Sequence, residues 1–377
     1  MKRKGIYIHF FSAVFLLLAC GPKQEEKVVA PWGEVIEETE IPDAFDLIQI
    51  QQHGEMIMLT QTGPDSYYDY HGKALGIHYM LCQRLAEHLG VSLRVEVCRD
   101  FAEIHRKIAS GDGDIAIESD STGLHWIVSA DKPVLSDTVR KWYQPIMLAE
   151  VKKEEDFLLS AKSVTRRVFS PMLNKKGGVI SHYDSFFMTY AQTIRWDWRL
   201  MAAQCYQEST FDPQARSWAG ACGLMQIMPS TADHLGLPQG KIYDPESNIA
   251  AAAKYIGELE SKLGDIRERS ERANFVLACY NGGYHHIRDA MALTEKYGGN
   301  PRRWNDVSRY VLLLAQPQYY NDPVVKYGYM RGSETVDYVQ KINQRWLGYR
   351  GVKSPHVGFS GMTPRKATHQ RKKKYQI

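Results

Sequence analysis

The chain has 377 residues, 44% hydrophobic and 24% charged, with a formal net charge of +4. That length predicts two or three domains, and 8 Trp, 22 Tyr and 12 Phe exclude a mainly disordered chain. Only one long apolar stretch occurs, near the N-terminus, which excludes a multi-pass membrane protein.

The positive charge sits at the two ends. Lys2, Arg3 and Lys4 precede the apolar run Gly5 to Ala19, and Arg365, Lys366 and Arg371 to Lys374 lie in a tail without acids. The body from Cys20 to Pro364 is net −5, so a basic nucleic-acid-binding protein is not expected. A basic start followed by a short apolar core reads as an export signal over residues 1–19. Its ending, Leu17-Leu18-Ala19-Cys20, resembles a bacterial lipobox, which implies lipid on Cys20 after cleavage. An ordinary signal peptide with an incidental Cys is the alternative. Pro22 in place of Asp implies the outer membrane, so the expected location is the cell envelope, lipid-anchored and facing the periplasm. Removing Cys20 leaves five cysteines without C-x-x-C spacing, read as small buried thiols. No metal site or cofactor is expected.

Residues 20–44 read as a tether. From 45 to 149 strands alternate with helices: a strand at Met56–Thr60, a Gly-rich turn, a helix over Ile77–His88 stopped by Gly90, and a strand at Val91–Val97. A helix over Phe101–Ala109 and a strand at Asp114–Ile117 follow. This order predicts a parallel α/β sheet. The stretches GKALGIHYMLCQRLAEHLGVSLRVEV and IASGDGDIAI resemble one lobe of a periplasmic solute-binding module, and the segment around His125–Ser129 resembles the return to that lobe. The second lobe of such modules is missing, so the resemblance implies half a ligand cleft. A structural or regulatory part is the preferred reading over a working receptor.

Residues 150–180 read as a linker, and 181–350 as an all-helical domain. Helical patterns cover Ser185–Gln207, Thr231–His234, Asn248–Leu263, Glu271–Tyr280, Tyr284–Tyr297, Trp304–Leu314 and Glu334–Tyr349. A basic tail, 351–377, closes the chain; a solvated tail or a contact with anionic wall or lipid groups both fit it. The expected fold class is α+β multidomain: a single α/β lobe followed by an all-α lysozyme-like domain.

On the helix before Ser209, Trp198, Met201, Ala202 and Cys205 form an apolar stripe with Glu208 at its edge. A carboxyl there is partly desolvated, which suits a general acid, although a solvated helix-end Glu has the same wheel position. The stretch QESTFDPQARSWAGACGLMQIMPSTA, Gln207 to Ala232, resembles the lytic transglycosylase family of the soluble murein type. ACYNGG at 278–283 and ETVDYVQKI at 334–342 match two further motifs of that family, in order.

The resemblance implies Glu208 as the sole acid/base and Ser217, Gln226, Met228, Tyr280, Asn281 and Glu334 as substrate-groove residues. Three of these have a plainer alternative: a turn hydroxyl for Ser217, core packing for Met228, a salt bridge for Glu334. Gly282-Gly283 read as a helix stop, and Tyr338 as packing. The implied substrate is the glycan strand of peptidoglycan, cut between N-acetylmuramic acid and N-acetylglucosamine with a 1,6-anhydro end formed. Ordinary retaining glycosidases need two carboxylates about 5–5.5 Å apart, and a single Glu suits a substrate-assisted route instead. The competing readings are a lysozyme-like hydrolase and a non-catalytic wall-binding or sensor lipoprotein. Protein partners are not specified by the sequence.

Overall fold

The computed structural model describes residues 45–351. The expected export signal, Cys20, the tether up to residue 44 and the tail beyond 351 lie outside the described residues. The chain is α+β, with an α/β region followed by a helical region. From Asp46 onward they belong to one unit.

The α/β region begins with α1 (Leu47–His53). Asp46 caps it by accepting from Leu47 N–H, and the same carboxylate accepts from Val134 and Leu135 N–H at 2.8 and 3.0 Å. One buried side chain thus satisfies the open donors of two helix starts. Next come β1 (Glu55–Thr60), a hairpin of β2 (Tyr68–Tyr70) and β3 (Lys73–Leu75), and α2 (Ile77–Leu89). Then β4 (Ser92–Val97), α3 (Phe101–Ser110), β5 (Ile115–Asp120), β6 (Gly123–Val128), α4 (Pro133–Trp142) and α5 (Pro145–Leu158) complete it.

The main sheet has the order β4-β1-β5-β6. Strands β1, β4 and β5 are parallel, as the βα alternation predicts, but β6 runs antiparallel to β5. The expectation of a purely parallel sheet fails at that strand. Only Ser121 and Thr122 separate the two strands, and a parallel crossover needs far more chain. Met58 and Leu59 are both fully buried but enter different clusters, so β1 is covered on both faces. Gly90 adopts φ 73° and stops α2 as its spacing predicts.

Two elements exceed the sequence reading. The segment read as a Gly-rich turn contains the β2–β3 hairpin. Helix α5 runs straight through position 150, where the linker was expected to begin. It is tied to α2 through Arg84, whose guanidinium meets Glu150 at 3.1 Å and Glu154 at 2.8 Å. Tyr68 also donates to Glu155 at 2.9 Å.

The helical region comprises α6 (Asp184–Thr193), α7 (Trp198–Ser209), α8 (Pro229–Leu235), α9 (Pro245–Lys262) and α10 (Arg269–Gly282). It continues with α11 (Tyr284–Lys296), α12 (Trp304–Leu313), α13 (Pro317–Tyr320) and α14 (Gly332–Tyr349). The single helix expected over 185–207 is two. Arg195 turns left-handed at φ 58°, and Asp197 caps the restart by accepting from Arg199 N–H. Ile194 and Trp196 continue the apolar spacing across this break, which hides it from periodicity. The core gathers Met201, Ala202 and Cys205 of α7 with Phe275 to Cys279 of α10 and Val339 and Ile342 of α14. The five cysteines from Cys82 to Cys279 are free and buried, as expected of small packing thiols.

Tyr329, from the loop before α14, is buried in the α/β cluster and meets Tyr68 edge-on at 5.1 Å. That seam carries the hairpin to the end of α7.

Candidate functional site

Helix α7 ends in a run of unusual backbone. Thr210 and Phe211 follow it at φ 53° and 64°, and Gln226 sits at φ 47°. With Arg195 and His71 these are the non-glycine residues at positive φ among the described residues, and such strain gathers where geometry is over-determined. Arg166, from the segment before α6, donates to the Glu208 carbonyl at 2.9 Å, closing one open carbonyl of the helix end.

Glu208 itself is half-buried, at the rim of the stripe formed by the buried Trp198, Met201, Ala202 and Cys205. Its carboxylate accepts a 2.5 Å hydrogen bond from the Tyr338 hydroxyl. Burial pushes its pKa up to about 7, against the opposing Tyr338 hydrogen bond and the charges of His71 and Arg166. A carboxyl poised there holds a proton at neutral pH and can give it up, which is what general acid/base work requires. Tyr338 was expected only to pack. It is buried, yet its hydroxyl faces the carboxylate, and burial beside that charge raises its own pKa well above the usual phenol value. Gln204, one turn before Glu208 and fully buried, lies against the same hydroxyl. Neither role is visible from helical spacing, which says which face is buried but not what it meets across the interface.

The loop from Ala215 to Met228 forms one side of the site. Gly223 stands at φ 78°, and a Cβ there would meet the Asn248 amide at 2.5 Å and the Ile242 carbonyl at 2.7 Å. Asn248, at the start of α9, is fully buried; it accepts from Met225 N–H at 2.8 Å and donates to the carbonyls of Ile242 and Cys222. Sequence reading placed Asn248 only as a helix start. A buried Asn whose amide joins this loop to the Ile242 carbonyl is a clamp.

The other expected residues divide by what holds them. Ser217 accepts from Ala221 N–H at 3.0 Å, so the turn-hydroxyl alternative describes its acceptor role, and its own proton is left to donate. Gln226 donates to the carbonyls of Gly223 and Ala215 and Met228 is half-buried beside it. Tyr280 was expected in the groove; its hydroxyl donates to the Met225 carbonyl at 2.8 Å. Burial raises its pKa well above 10, with the Glu208 charge adding to the shift. Asn281 accepts from Thr335 at 2.8 Å, fastening α10 to α14. Gly282 ends α10 as expected, and it also has no room for a Cβ, which would meet Met330 Cε at 2.3 Å.

Glu334, one turn before Tyr338 on α14, accepts from the Tyr70 hydroxyl at 2.9 Å and lies 3.5 Å from His71 Nε2. Burial alone would raise its pKa, but the His71 and Tyr70 hydrogen bonds with the Arg331 charge outweigh it and hold it low. The site therefore contains one carboxyl kept protonatable and one kept ionised. Tyr70 and His71, from the α/β region, were not expected here at all. Their only sequence signal is the His-Gly pair of a two-residue turn.

Residues 185–302 match the family model described as the transglycosylase SLT domain. The matched residues lie in the helical region, and the chain resembles proteins named membrane-bound lytic murein transglycosylase F. The one from Salmonella arizonae is 43% identical over 173 residues, which are 46% of this chain and 32% of that protein. The one from Citrobacter koseri is 44% identical over 174 residues, 46% of this chain and 33% of that protein. The chain thus spans about a third of the length of these relatives. The one from Desulfosudis oleivorans is 25% identical across 78% of this chain and 90% of its own length. Among solved structures, an inactive mutant of the lytic transglycosylase Slt from Pseudomonas aeruginosa matches 47% of this chain and 26% of its own. It does so at 21% identity and a TM-score of 0.34.

Proposed function

We propose that the chain is a lytic transglycosylase acting on peptidoglycan, with Glu208 as its single acid/base. The observation that carries this reading is the Glu208 carboxyl at the end of α7, its pKa lifted to about 7 by burial and its orientation fixed by Tyr338. Glu208 protonates the glycosidic oxygen between N-acetylmuramic acid and N-acetylglucosamine, and the C1–oxygen bond breaks. The substrate's own N-acetyl group stabilises the positive charge at C1. Glu208, now a carboxylate, takes the proton from the muramyl C6 hydroxyl, whose oxygen attacks C1 and closes the 1,6-anhydro ring. No water is consumed. Ser217, Gln226, Met228, Tyr280, Asn281 and Glu334 are the residues assigned to the groove that holds the glycan.

The fate of Glu334 supports the single-carboxylate route. Its oxygens are taken up by Tyr70 and His71, so it is engaged as an acceptor rather than presented as a second catalytic group. Residues 45–149 with their following helix fit a single solute-binding-type lobe. The alignment to the Desulfosudis oleivorans relative is longer than the stretch of this chain it covers, as a missing lobe would leave it. Lipid on Cys20 completes the reading and assigns the protein to the cell envelope, on the periplasmic side of the outer membrane.

The test is release of muropeptides from purified peptidoglycan by the wild-type chain and by Glu208→Gln. The variant should keep its fold by circular dichroism and lose about 10²–10⁴ in rate, the usual worth of a general acid/base. Retention of most of the rate by a folded variant overturns the assignment. A reducing-end product from the wild type makes the protein a hydrolase, and no product at all makes it a wall-binding or sensor protein.

A further inference from the structure

The α/β region reaches the site through two residues. Strands β2 and β3 pair Tyr70 with Lys73, leaving His71 and Gly72 as a two-residue turn with φ 51° and 73°. Positive φ at both positions is the tight hairpin geometry that favours Asn-Gly. Histidine there bears backbone strain that asparagine or glycine would relieve. The hairpin is pinned against the helical region. The Tyr70 ring lies parallel to Trp218, with centroids 6.0 Å apart, and edge-on to His71 at 4.4 Å. A Cβ on Gly72 would come within 4.0 Å of Met228 Cε. The strained side chain points at Glu334, 3.5 Å away, and is near enough for its charge to act on Glu208.

We propose that His71 is a positioning residue of the proposed transglycosylase site, a cation delivered by the α/β region that locks Glu334 and sets the charge beside Glu208. The inference rests on the reading of Glu208 as the acid/base. The groups facing His71 favour its protonated form. Asp69 lies on its own hairpin, Glu334 at the start of α14 and Glu208 at the end of α7. Burial works against the charge, but those three carboxylates outweigh it, and the imidazole pKa lies above its ordinary value. Arg331 bears on Glu334 and Arg166 on Glu208, so the two carboxyls feel other cations besides His71. His71 differs from both in being an imidazole, the side chain whose charge most readily responds to pH. Its cation favours the Glu208 carboxylate, and its loss makes the Glu208 proton harder to remove.

The experiment follows the initial rate of muropeptide release by the full chain against pH, for wild type, His71→Asn and His71→Lys. Glu208→Gln runs alongside. Asparagine suits the turn better than histidine, so His71→Asn should melt at or above the wild-type temperature. Its alkaline limb should move up by about 0.5–1 pH unit, because the cation is gone. His71→Lys should bring the limb back toward the wild-type position. Superimposed limbs for His71→Asn and wild type, with Glu208→Gln inactive, overturn this inference and leave the proposed function standing. So does a lowered melting temperature with an unmoved limb, which would make His71 a structural residue only. An active Glu208→Gln overturns the acid/base assignment itself, and this inference falls with it.

Discussion

The two regions of the molecule use buried polar groups in different ways. In the α/β region they fasten structure. Lys132 and Asp114 form an ion pair with side chains 4% and 3% exposed, and Asp114 also accepts from Ile57 N–H within β1. In the helical region one carboxyl, that of Glu208, is held differently. Glu208 is pressed into apolar surroundings with one strong hydrogen bond from Tyr338, and burial leaves its proton loosely settled near neutrality. The first arrangement stabilises a charge by pairing it, and the second keeps a charge costly. The contrast shows why burial alone does not mark a catalytic group: what matters is whether the partner set favours one protonation state outright.

Three substitutions test that contrast. Lys132→Met removes one partner of the buried pair and leaves Asp114 uncompensated, so urea unfolding should show a loss of about 3–5 kcal/mol. A stability within about 1 kcal/mol of wild type would mean the pair fastens little. Asn248→Ala leaves the loop donors and acceptors around Gly223 unpaired and should cost about 1–3 kcal/mol. Activity should fall with it, since the loop walls the site; an unchanged rate at unchanged stability would remove Asn248 from the account. The smallest effect is expected from Tyr338→Phe. Its hydrogen bond favours the Glu208 carboxylate, so its removal should raise the Glu208 pKa. The alkaline limb of the rate profile should then move up by about one pH unit. That shift should exceed the one from His71→Asn, because the Tyr338 bond opposes the burial shift more strongly than the His71 charge does.

Much of this was legible in the sequence, for identifiable reasons. The βα alternation and the helical periods depend on local spacing, so strands β1, β4 and β5 and most helices stand where the pattern puts them. Glu208 emerges from an apolar stripe with a carboxyl at its edge, and the stripe is buried as read. What was not legible depends on contacts between distant segments. The antiparallel β6 follows from a turn too short for a crossover. The break at Arg195 hides under continuous apolar spacing. Tyr338, Gln204 and Asn248 look like ordinary helix residues until their partners across the interface are known. Tyr70 and His71 lie more than 130 residues before Glu208, in a region whose resemblance pointed to a different kind of site. The expected export signal and lipid site stay at the level of sequence, since they precede the described residues.

The most direct measurement of the central claim is the mass of the muramyl end released from purified peptidoglycan, with Glu208→Gln digested in parallel. A general acid that later removes the C6 hydroxyl proton leaves an anhydro end, lighter by one water than a hydrolysed one. The rate of its release should decline as pH rises through about 7, where Glu208 gives up its proton. An anhydro product from the wild type and none from a folded Glu208→Gln is the predicted result. A hydrated reducing end, or an anhydro product that persists without the Glu208 carboxyl, contradicts the account.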